Sequence, residues 1–215
     1  MGELLVEIMR PEKDVKLSET GNFRGPFPSG APGIFIDTVA RLGHSAQIIS
    51  GVGNDDFGDN VLTRLKRDGV NTDLVEVFDG KTTAVAFVMY YSNGERDFVY
   101  HFDGTPAVMA RFEEETLQKL PVYFHLMGCS LLANRDFKDS ILEAVDTLYK
   151  KGVKISFDPN LRKELMSDNV LEDVVNPVLE KCSILLPGTD ELLLVTEKET
   201  IEDAVRFIQD SFGIG

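Results

Sequence analysis

An acid, an amide and a guanidinium follow one another closely at Asp158, Asn160 and Arg162. They come directly after the apolar run Val153–Phe157, which predicts a short buried strand. Polar residues just beyond the carboxyl end of such a strand lie where open α/β sheets bind ligands. Because Arg162 carries a planar charged fork and Asn160 both donates and accepts hydrogen bonds, the segment indicates an anionic oxygen ligand. The alternative is that Asp158 and Asn160 cap the next helix and Arg162 is a solvated surface residue.

A second candidate segment, Pro28–Gly33, is rich in small residues and precedes the helix-like run Ile34–Leu42. Small residues let a ligand approach the backbone closely, and the N-terminus of a following helix favours hydroxyl or anionic groups. A plain junction between a loop and a helix explains the same pattern.

Two nucleotide-binding motifs are incomplete. Gly80-Lys81-Thr82 matches the end of a P-loop, but Val75 stands where the first glycine is required and a predicted strand follows. Gly51-Val52-Gly53 lacks the third glycine of a dinucleotide fingerprint, and Asp55 and Asp56 would face the pyrophosphate. We interpret this second segment as a tight turn into the next helix, which Asp56 caps. A nucleotide-binding dehydrogenase is therefore disfavoured.

Metal and covalent chemistry have little support in the sequence. The three histidines, His44, His101 and His125, match no metal-ligand spacing, so we do not expect catalytic zinc. No Gly-x-Ser-x-Gly elbow occurs, and Cys129 has no base near it in the sequence.

Composition limits the class of partner. With 215 residues, 43% of them hydrophobic, the chain can bury one sizeable core. Its net charge of -14 argues against nucleic acid and anionic membrane surfaces as partners. Cys129 and Cys182 lie in or beside apolar runs and are expected to be buried free thiols. Without a visible signal peptide or membrane-length apolar run, the sequence predicts a cytoplasmic protein.

Alternating strands and helices predict a parallel sheet from about residue 120 onward. The predicted elements are a strand at Val122–Met127, a helix at Arg135–Lys151, strands at Val153–Phe157 and Ser183–Leu186, and helices at Asn169–Lys181, Thr189–Thr196 and Thr200–Phe212. The helix ending at Gly152 carries an apolar stripe, and Gly152 is typical of a C-cap. Upstream, Ala46–Ile49 is predicted to be a core strand before a helix at Phe57–Lys66.

A β-hairpin interrupts this order. Thr82–Tyr91 and Arg96–Phe102 are rich in β-branched and aromatic residues, and Asn93-Gly94 between them is a turn signal. Together with Val15–Arg24, the hairpin is predicted to form a small separate sheet that could act as a lid.

In their order along the chain these segments resemble the PfkB family of carbohydrate kinases, also called ribokinase-like. The matching motifs are Gly2–Glu7, Gly30-Ala31-Pro32, Ala40–Gly43, Gly51–Gly53, Asp56-Phe57-Gly58, the hairpin Thr82–His101 with Gly94-Glu95-Arg96, His125–Leu131, Asp158–Arg162 and Pro187–Glu191. The resemblance implies a three-layer α/β/α domain with a mostly parallel central sheet and a small β-sheet lid, with lid strands from about residues 13–26 and 80–103.

The activity that the resemblance implies is transfer of the ATP γ-phosphate to a sugar hydroxyl with Mg²⁺. Arg162 would stabilise phosphate charge, Asn160 would lie near the phosphates, and Glu191 would organise a magnesium-bound water. The residues that the family would use to contact the sugar correspond to Glu7, Gly30, Ala31, Tyr100 and Arg162. A ketose, fructose-like or 2-keto-3-deoxygluconate-like, is the implied substrate class.

The chain departs from the family pattern at several points. Ile34 stands where most members place Asn, Gly188 replaces the Asn three residues before Glu191, and Phe102 stands where many ketose and keto-acid kinases have Arg. The family's Gly-Ala-Gly-Asp segment, with its catalytic base and much of the adenine pocket, is expected beyond Gly215. We therefore expect this chain alone to be inactive. A non-catalytic sugar-binding or regulatory protein of the same fold is the alternative.

The hairpin also predicts an oligomer, because both faces of Thr82–Tyr91 are largely apolar. One face would close over the sugar and the other would pack against a second subunit, giving a homodimer through the β lid. The alternative is a hairpin buried wholly within its own domain.

Overall fold

Two compact units make up the computed structural model, which describes residues 1–161 and 174–214. One unit is Gly2–Ala110, and the other is Arg111–Gly215 together with Met1. The prediction of a single α/β domain stays a prediction.

The first unit contains a four-stranded mixed sheet, a pair of parallel strands and two helices. Its elements are β1 (Leu5–Met9), β2 (Arg24–Ser29), α1 (Ala31–Arg41), β3 (Ser50–Gly53), α2 (Asp56–Arg67), β4 (Val75–Phe78), β5 (Ala84–Tyr90) and β6 (Arg96–His101). The sheet order is β2-β1-β5-β6, in which β1 and β5 are parallel and the outer pairs antiparallel. β3 pairs with β4 in parallel.

The core of this unit consists of aliphatic side chains in and directly beside β1, β3 and α2. Its buried members are Leu4, Val6, Ile48, Val52, Val61, Leu65 and Val70. The amphipathic pattern of α2 places Val61 and Leu65 four residues apart, on the same helix face. This packing holds β1 in place, and β1 contains Glu7, one of the predicted site residues.

The second unit contains a parallel three-stranded sheet, β7-β8-β9, with helices between its strands. The elements are β7 (Tyr123–Met127), α3 (Gly128–Ala133), α4 (Arg135–Lys150), β8 (Lys154–Asp158), α5 (Asn176–Leu179), β9 (Cys182–Leu185), α6 (Thr189–Thr196) and α7 (Ile201–Phe212). The three predicted strands of this unit and the helices α4, α6 and α7 are confirmed. Each observed end lies within one residue of the predicted end. The predicted helix Asn169–Lys181 falls partly outside the described residues.

Local sequence explains the longest helix of this unit. Asn134 caps α4 by accepting hydrogen bonds from the N–H groups of Asp136 and Phe137, and Gly152 follows its end with a φ of 84°. The apolar stripe is fully buried at Phe137, Ile141, Val145 and Leu148. Both cysteines of the chain, Cys129 and Cys182, lie in this unit, buried and not joined by a disulfide.

One predicted strand is wrong in position. The segment Ala46–Ile49 contributes only an isolated bridge from Gln47, and the strand begins at Ser50. Gly51 and Gly53 are therefore strand residues, not a tight turn. A Cβ on Gly51 would lie 2.4 Å from the carbonyl oxygen of Pro106, so glycine is required there by close backbone approach.

The hairpin is confirmed, but its sheet differs from the prediction. β5 and β6 pair through Ala86 and Tyr100 in antiparallel register, and they continue the sheet that contains β1. The predicted partner strand Val15–Arg24 does not form; β2 begins at Arg24 and pairs with β1. On β5, Ala84, Val88 and their neighbours Ala86 and Met89 are buried.

No helix in the part of the chain that the structure describes combines the length and apolar character needed to cross a membrane.

Candidate functional site

A row of side chains crosses the four-stranded sheet at the level of Glu7. Strand register places Phe27, Glu7, Ala86 and Tyr100 side by side on β2, β1, β5 and β6. Residues in register on neighbouring strands point to the same face of a sheet. With strands about 4.8 Å apart, Glu7 and Tyr100 stand roughly 10 Å from each other across the small side chain of Ala86. The fold therefore brings two predicted sugar-binding residues to one face.

Glu7 is half-buried on this face. Burial raises the pKa of its carboxyl above the usual value, and the Arg96 guanidinium and a hydrogen bond with Ser29 oppose that rise. A partly desolvated carboxylate gains more from ligand hydroxyl donors than a fully hydrated one does. Glu7 is thus suited to bind hydroxyl groups.

Aromatic side chains form a continuous stack along β6. The rings of Phe98 and Tyr100 are stacked at 5.1 Å, and Phe102 follows at 5.4 Å from Tyr100. The Arg96 guanidinium lies 5.4 Å from the Phe98 ring centroid and closes the stack at its other end. An apolar ring surface beside a carboxylate suits a molecule with both C–H and hydroxyl faces.

Backbone geometry explains why the residue that precedes α1 is a glycine. Gly30 is the N-cap residue with a φ of 94°, and a Cβ there would lie 2.6 Å from the carbonyl oxygen of Glu3. Glycine is therefore required by the chain itself. Ala31 is the first helical residue, and Ile34 is 55% exposed.

In the second unit, polar residues gather at the carboxyl edge of the parallel sheet. Met127 and Asp158 end the adjacent strands β7 and β8 in register. The Asn160 N–H donates to Asp158 Oδ1 at 3.0 Å, and its side-chain amide lies 3.5 Å from the Met127 sulfur. Asn160 has a left-handed φ of 35°, which asparagine tolerates better than most residues. Residues 158–161 thus form a turn that the Asp158 side chain closes.

Glu191 joins this turn to α6. Its Oε1 accepts the Leu161 N–H at 2.8 Å, and its Oε2 accepts the Gly188 N–H at 2.9 Å. Each carboxylate oxygen keeps a further lone pair for another donor. Asn160 and Glu191 are therefore brought together through Leu161. Arg162, predicted to hold phosphate charge, lies outside the described residues.

We predict that Glu191→Gln will lower the free energy of unfolding by about 1–3 kcal/mol. The amide nitrogen of glutamine cannot accept an N–H, so either Leu161 or Gly188 loses its partner. Urea denaturation measures the change, and Asp190→Asn in the same helical turn is the control because it removes only a charge. Equal effects of the two substitutions would contradict the bridging role of Glu191.

Sequence reasoning missed a polar network around Asp55. The helix α2 begins at Asp56 and is capped by Asp55, not by Asp56 as predicted; Asp55 Oδ1 accepts the Gly58 N–H at 2.8 Å. The same carboxylate accepts the Thr83 N–H at 2.8 Å and the Thr83 hydroxyl at 2.7 Å. Two adjacent aspartates are equally good caps by type, so the sequence alone could not choose between them.

A cavity of about 460 Å³ adjoins this network in the first unit. Asp55 and Thr83 line one part of it, and Tyr100, His101 and Asp103 line another. Of the predicted sugar-binding residues that the structure describes, only Tyr100 lines it. Glu7 is not among the lining residues of this cavity.

The histidines occupy ordinary positions. His44 and His101 are exposed, whereas His125 lies on β7 with Nδ1 3.0 Å from the Ser156 hydroxyl. Burial, and to a smaller extent the N-terminal ammonium, lowers the pKa of His125 to about 3, so the ring is neutral near pH 7. Among the described residues, no three metal-ligating side chains come close enough to hold an ion.

Comparison with known proteins places these features in context. The model of the pfkB family of carbohydrate kinases matches residues 27–213. The protein named "Probable fructokinase-3" of Arabidopsis thaliana is 30% identical over 205 residues, which cover 94% of this chain and 59% of that protein. The chain thus spans about three fifths of the length of that relative.

Solved structures share the fold. The apo form of a protein from E. coli named Ribokinase II superposes with a TM-score of 0.90 at 38% identity, covering 99% of this chain and 68% of that one. The same protein in complex with ATP and Mg²⁺ gives a TM-score of 0.87, with 97% and 67% covered. These similarities confirm the predicted ribokinase-like α/β fold class.

Proposed function

Because the family model covers most of its length, the chain belongs to the PfkB family of carbohydrate kinases, and we propose that it supplies the sugar-binding part of an ATP-dependent sugar kinase. In the reaction, the sugar hydroxyl oxygen bonds to the γ-phosphorus while the bond to the ADP oxygen breaks, and the hydroxyl proton passes to a base. The 215 residues contain no Gly-Ala-Gly-Asp segment, in which the resemblance locates that base. Turnover therefore requires a polypeptide that also contains this segment.

The observation that carries the proposal is the row of Glu7, Ala86 and Tyr100 on one sheet face. Glu7 would accept hydrogen bonds from sugar hydroxyls, and the Tyr100 ring would cover the C–H side of the sugar. Gly30 and Ala31 would allow close approach at the start of α1. The exposed Ile34 offers no hydrogen bond, so fewer polar contacts hold the sugar there.

The carboxyl edge of the second sheet fits a magnesium nucleotide chemically. Asp158, Asn160 and Glu191 offer oxygen atoms of the kind that Mg²⁺ prefers, and Mg²⁺ usually retains several waters that such groups can hold. When bound, Mg-ATP supplies the phosphoryl group and the ion neutralises part of its charge. Glu191 would act through water, and Arg162 would stabilise phosphate charge.

Similarity to a plant fructokinase favours a ketose as the substrate class. The keto-acid alternative needs a cation for the carboxylate. Phe102 stands where many ketose and keto-acid kinases have Arg, so this position does not separate the two substrate classes. Arg96 is the cation that interacts electrostatically with Glu7 on this face. We therefore propose a neutral, fructose-like ketose, in a cytoplasmic protein.

A coupled assay across ketoses, aldoses, keto-acids and nucleosides tests the proposal. We expect ATP turnover with a ketose from the protein carrying the Gly-Ala-Gly-Asp segment, and none from the 215-residue chain. Absence of sugar-dependent turnover with every substrate, in the presence of Mg²⁺ and the complete segment, would overturn the kinase proposal.

A second candidate function is sugar binding without phosphoryl transfer. It is favoured by the two backbone N–H groups that occupy Glu191, since these hydrogen bonds give the carboxylate a structural role. This candidate predicts calorimetric binding of a ketose by a protein that never consumes ATP.

We further propose a homodimer through the hairpin. β6 ends the sheet, and in the portion that the structure describes no strand pairs with its outer edge. Val99 on β6 is 45% exposed and lies opposite Phe87, on the face away from Glu7 and Tyr100. An exposed apolar side chain beside an open strand edge suits a second copy of the chain.

Val99→Asp should weaken this dimer at least tenfold, because a charge would have to be buried in the interface. Sugar affinity should not change. Sedimentation measures the dimer constant, and Val77→Asp is the matched control, since Val77 is 47% exposed on a different sheet. The dimer proposal is overturned if the wild-type protein is monomeric at micromolar concentration. It is also overturned if Val99→Asp and Val77→Asp change the dimer constant equally.

A further inference from the structure

A buried arginine follows the first strand. Arg10 is 2% exposed, and its guanidinium donates to the carbonyl oxygens of Lys16 and Asn22 at 3.2 Å each and to that of Glu19. Its Cζ lies 4.0 Å from the centroid of the Phe23 ring. Among the described residues no carboxylate forms an ion pair with it. Carbonyl dipoles and an aromatic face therefore balance its charge.

The contacts of Arg10 organise a segment that lacks regular structure. Residues 11–23 contain no helix or strand, so few of their backbone groups are paired with one another. Burying a guanidinium is costly unless it is well hydrogen-bonded, so the site forms only when the segment is wrapped around it. These carbonyls are held by Arg10 and not by a β-ladder, which explains why the predicted strand Val15–Arg24 is missing.

The same segment, here called the strap (residues 11–23), is fastened to the hairpin. Just before the strap, the Arg10 N–H donates to the Val88 carbonyl at 2.8 Å, and within the strap the Asp14 N–H donates to the Tyr90 carbonyl at 2.9 Å. The Asp14 carboxylate accepts the Ser92 N–H at 2.9 Å and also the Ser92 hydroxyl. Near its other end, the Phe23 ring meets Phe87 edge-on at 5.7 Å.

The strap lies on the back of the proposed sugar-binding face. Phe87 is in register with Ile8 and Val99, whereas Glu7 and Tyr100 alternate with them and point to the opposite face. The strap also leads directly into β2 and then Gly30. The strap thus connects β1, which carries Glu7, with β5 and with β2, which leads into Gly30.

We propose that Arg10 is a positioning residue that locks the strap to the hairpin and so preforms the sugar-binding face. The inference rests on the proposed function for its effect on sugar binding. Arg10 itself touches no sugar, because its guanidinium is enclosed by the strap on the opposite face. If the face is competent only a tenth of the time without the lock, the apparent sugar affinity falls about tenfold.

The first experiment compares Arg10→Met with the wild type by amide hydrogen exchange and by calorimetric titration with fructose. We expect faster exchange in the strap and in the hairpin, residues 84–101, together with about tenfold weaker fructose binding. Arg206→Met on α7 is the control, since Arg206 is 71% exposed. Unchanged exchange in the hairpin overturns the inference.

Gly21 supplies a second variant that is independent of losing a buried charge. A Cβ on Gly21 would lie 2.8 Å from Arg10 Nη1, while its backbone is outside the left-handed region that disfavours alanine. Gly21→Ala should therefore speed hairpin exchange in the wild type but have no effect on top of Arg10→Met. Additive effects in this double-mutant cycle would overturn the lock.

The exchange measurement needs no sugar, so it separates two failures. A wild type that binds no sugar contradicts the proposed function, yet exchange still decides whether Arg10 locks the hairpin. Arg10→Met could instead lower thermal stability while hairpin exchange and fructose affinity of the folded protein stay unchanged. That result would show a purely structural arginine and overturn the positioning role.

Discussion

Replacing Gly128 with alanine should destabilise the protein by about 3 kcal/mol or more, the upper range for overpacking substitutions. A Cβ on Gly128 would lie 2.0 Å from the carbonyl oxygen of Pro159, well inside van der Waals contact. The atom that it meets belongs to the backbone of the turn after β8, so no side chain can rotate away. Either this turn or the start of α3 must move.

The displaced turn includes Asn160, so the ATP turnover proposed for the protein that carries the Gly-Ala-Gly-Asp segment should fall together with stability. Thermal unfolding measures the first effect, with a decrease of about 10 °C expected from a loss of this size. Cys129→Ala is the matched control, because it changes the next residue, also buried, without adding volume. A melting temperature for Gly128→Ala equal to that of the control would show that the close approach is not real.

Asp55→Ala should lower the free energy of unfolding by about 2–4 kcal/mol. Loss of the helix cap contributes about 1 kcal/mol. Thr83 is only 3% exposed, so its N–H is left without an acceptor, at a further cost of about 1–3 kcal/mol. The Thr83 hydroxyl also donates to Asp55 and accepts the Gly53 N–H at 3.0 Å, so the loss extends to β3.

Acid should weaken the same contact. Burial alone would raise the pKa of Asp55, but the hydrogen bonds that it accepts from Thr83, Gly58 and Phe57 outweigh burial and lower it below the usual value. The unfolded chain then binds the proton more tightly, so this stabilisation is complete above the unfolded pKa of about 3.9 and is lost as pH falls through the folded pKa. Asp55→Ala should lack that part of the acid dependence.

Asp56→Ala is the control for both measurements. It removes the neighbouring carboxylate, which the sequence made an equally good cap, but leaves the bonds to Thr83 in place. Urea titrations at several pH values measure the effects. If Asp56→Ala costs as much as Asp55→Ala, the capping assignment is wrong.

Periodic patterns predicted the regular elements well. Amphipathic spacing with a defined cap and a terminal glycine located α4, and the Asn93-Gly94 turn between two β-rich runs located the hairpin. These features depend on neighbours within a few residues. The strand near Ala46 was misplaced because the glycines of β3 reflect distant backbone contacts, of Gly51 with Pro106 and of Gly53 with Lys81, which no local pattern contains.

The candidate site was predictable only in part, for the same reason. Glu7 and Tyr100 could be selected by resemblance, but their common row depends on β1 pairing with β5 and on β5 pairing with β6. The role of Arg10 depends on carbonyl groups, which every residue carries and which sequence therefore cannot distinguish.

The two cysteines give the protein a built-in chemical reporter. Both thiols lie in one unit, buried, and burial raises the pKa of Cys182 to about 11, so almost none of it is the reactive thiolate at neutral pH. The unit that carries the proposed sugar-binding face has no cysteine. The rate of alkylation by a maleimide therefore measures how often the cysteine-containing unit opens and exposes its thiols. No engineered label is needed to monitor the local unfolding of that unit.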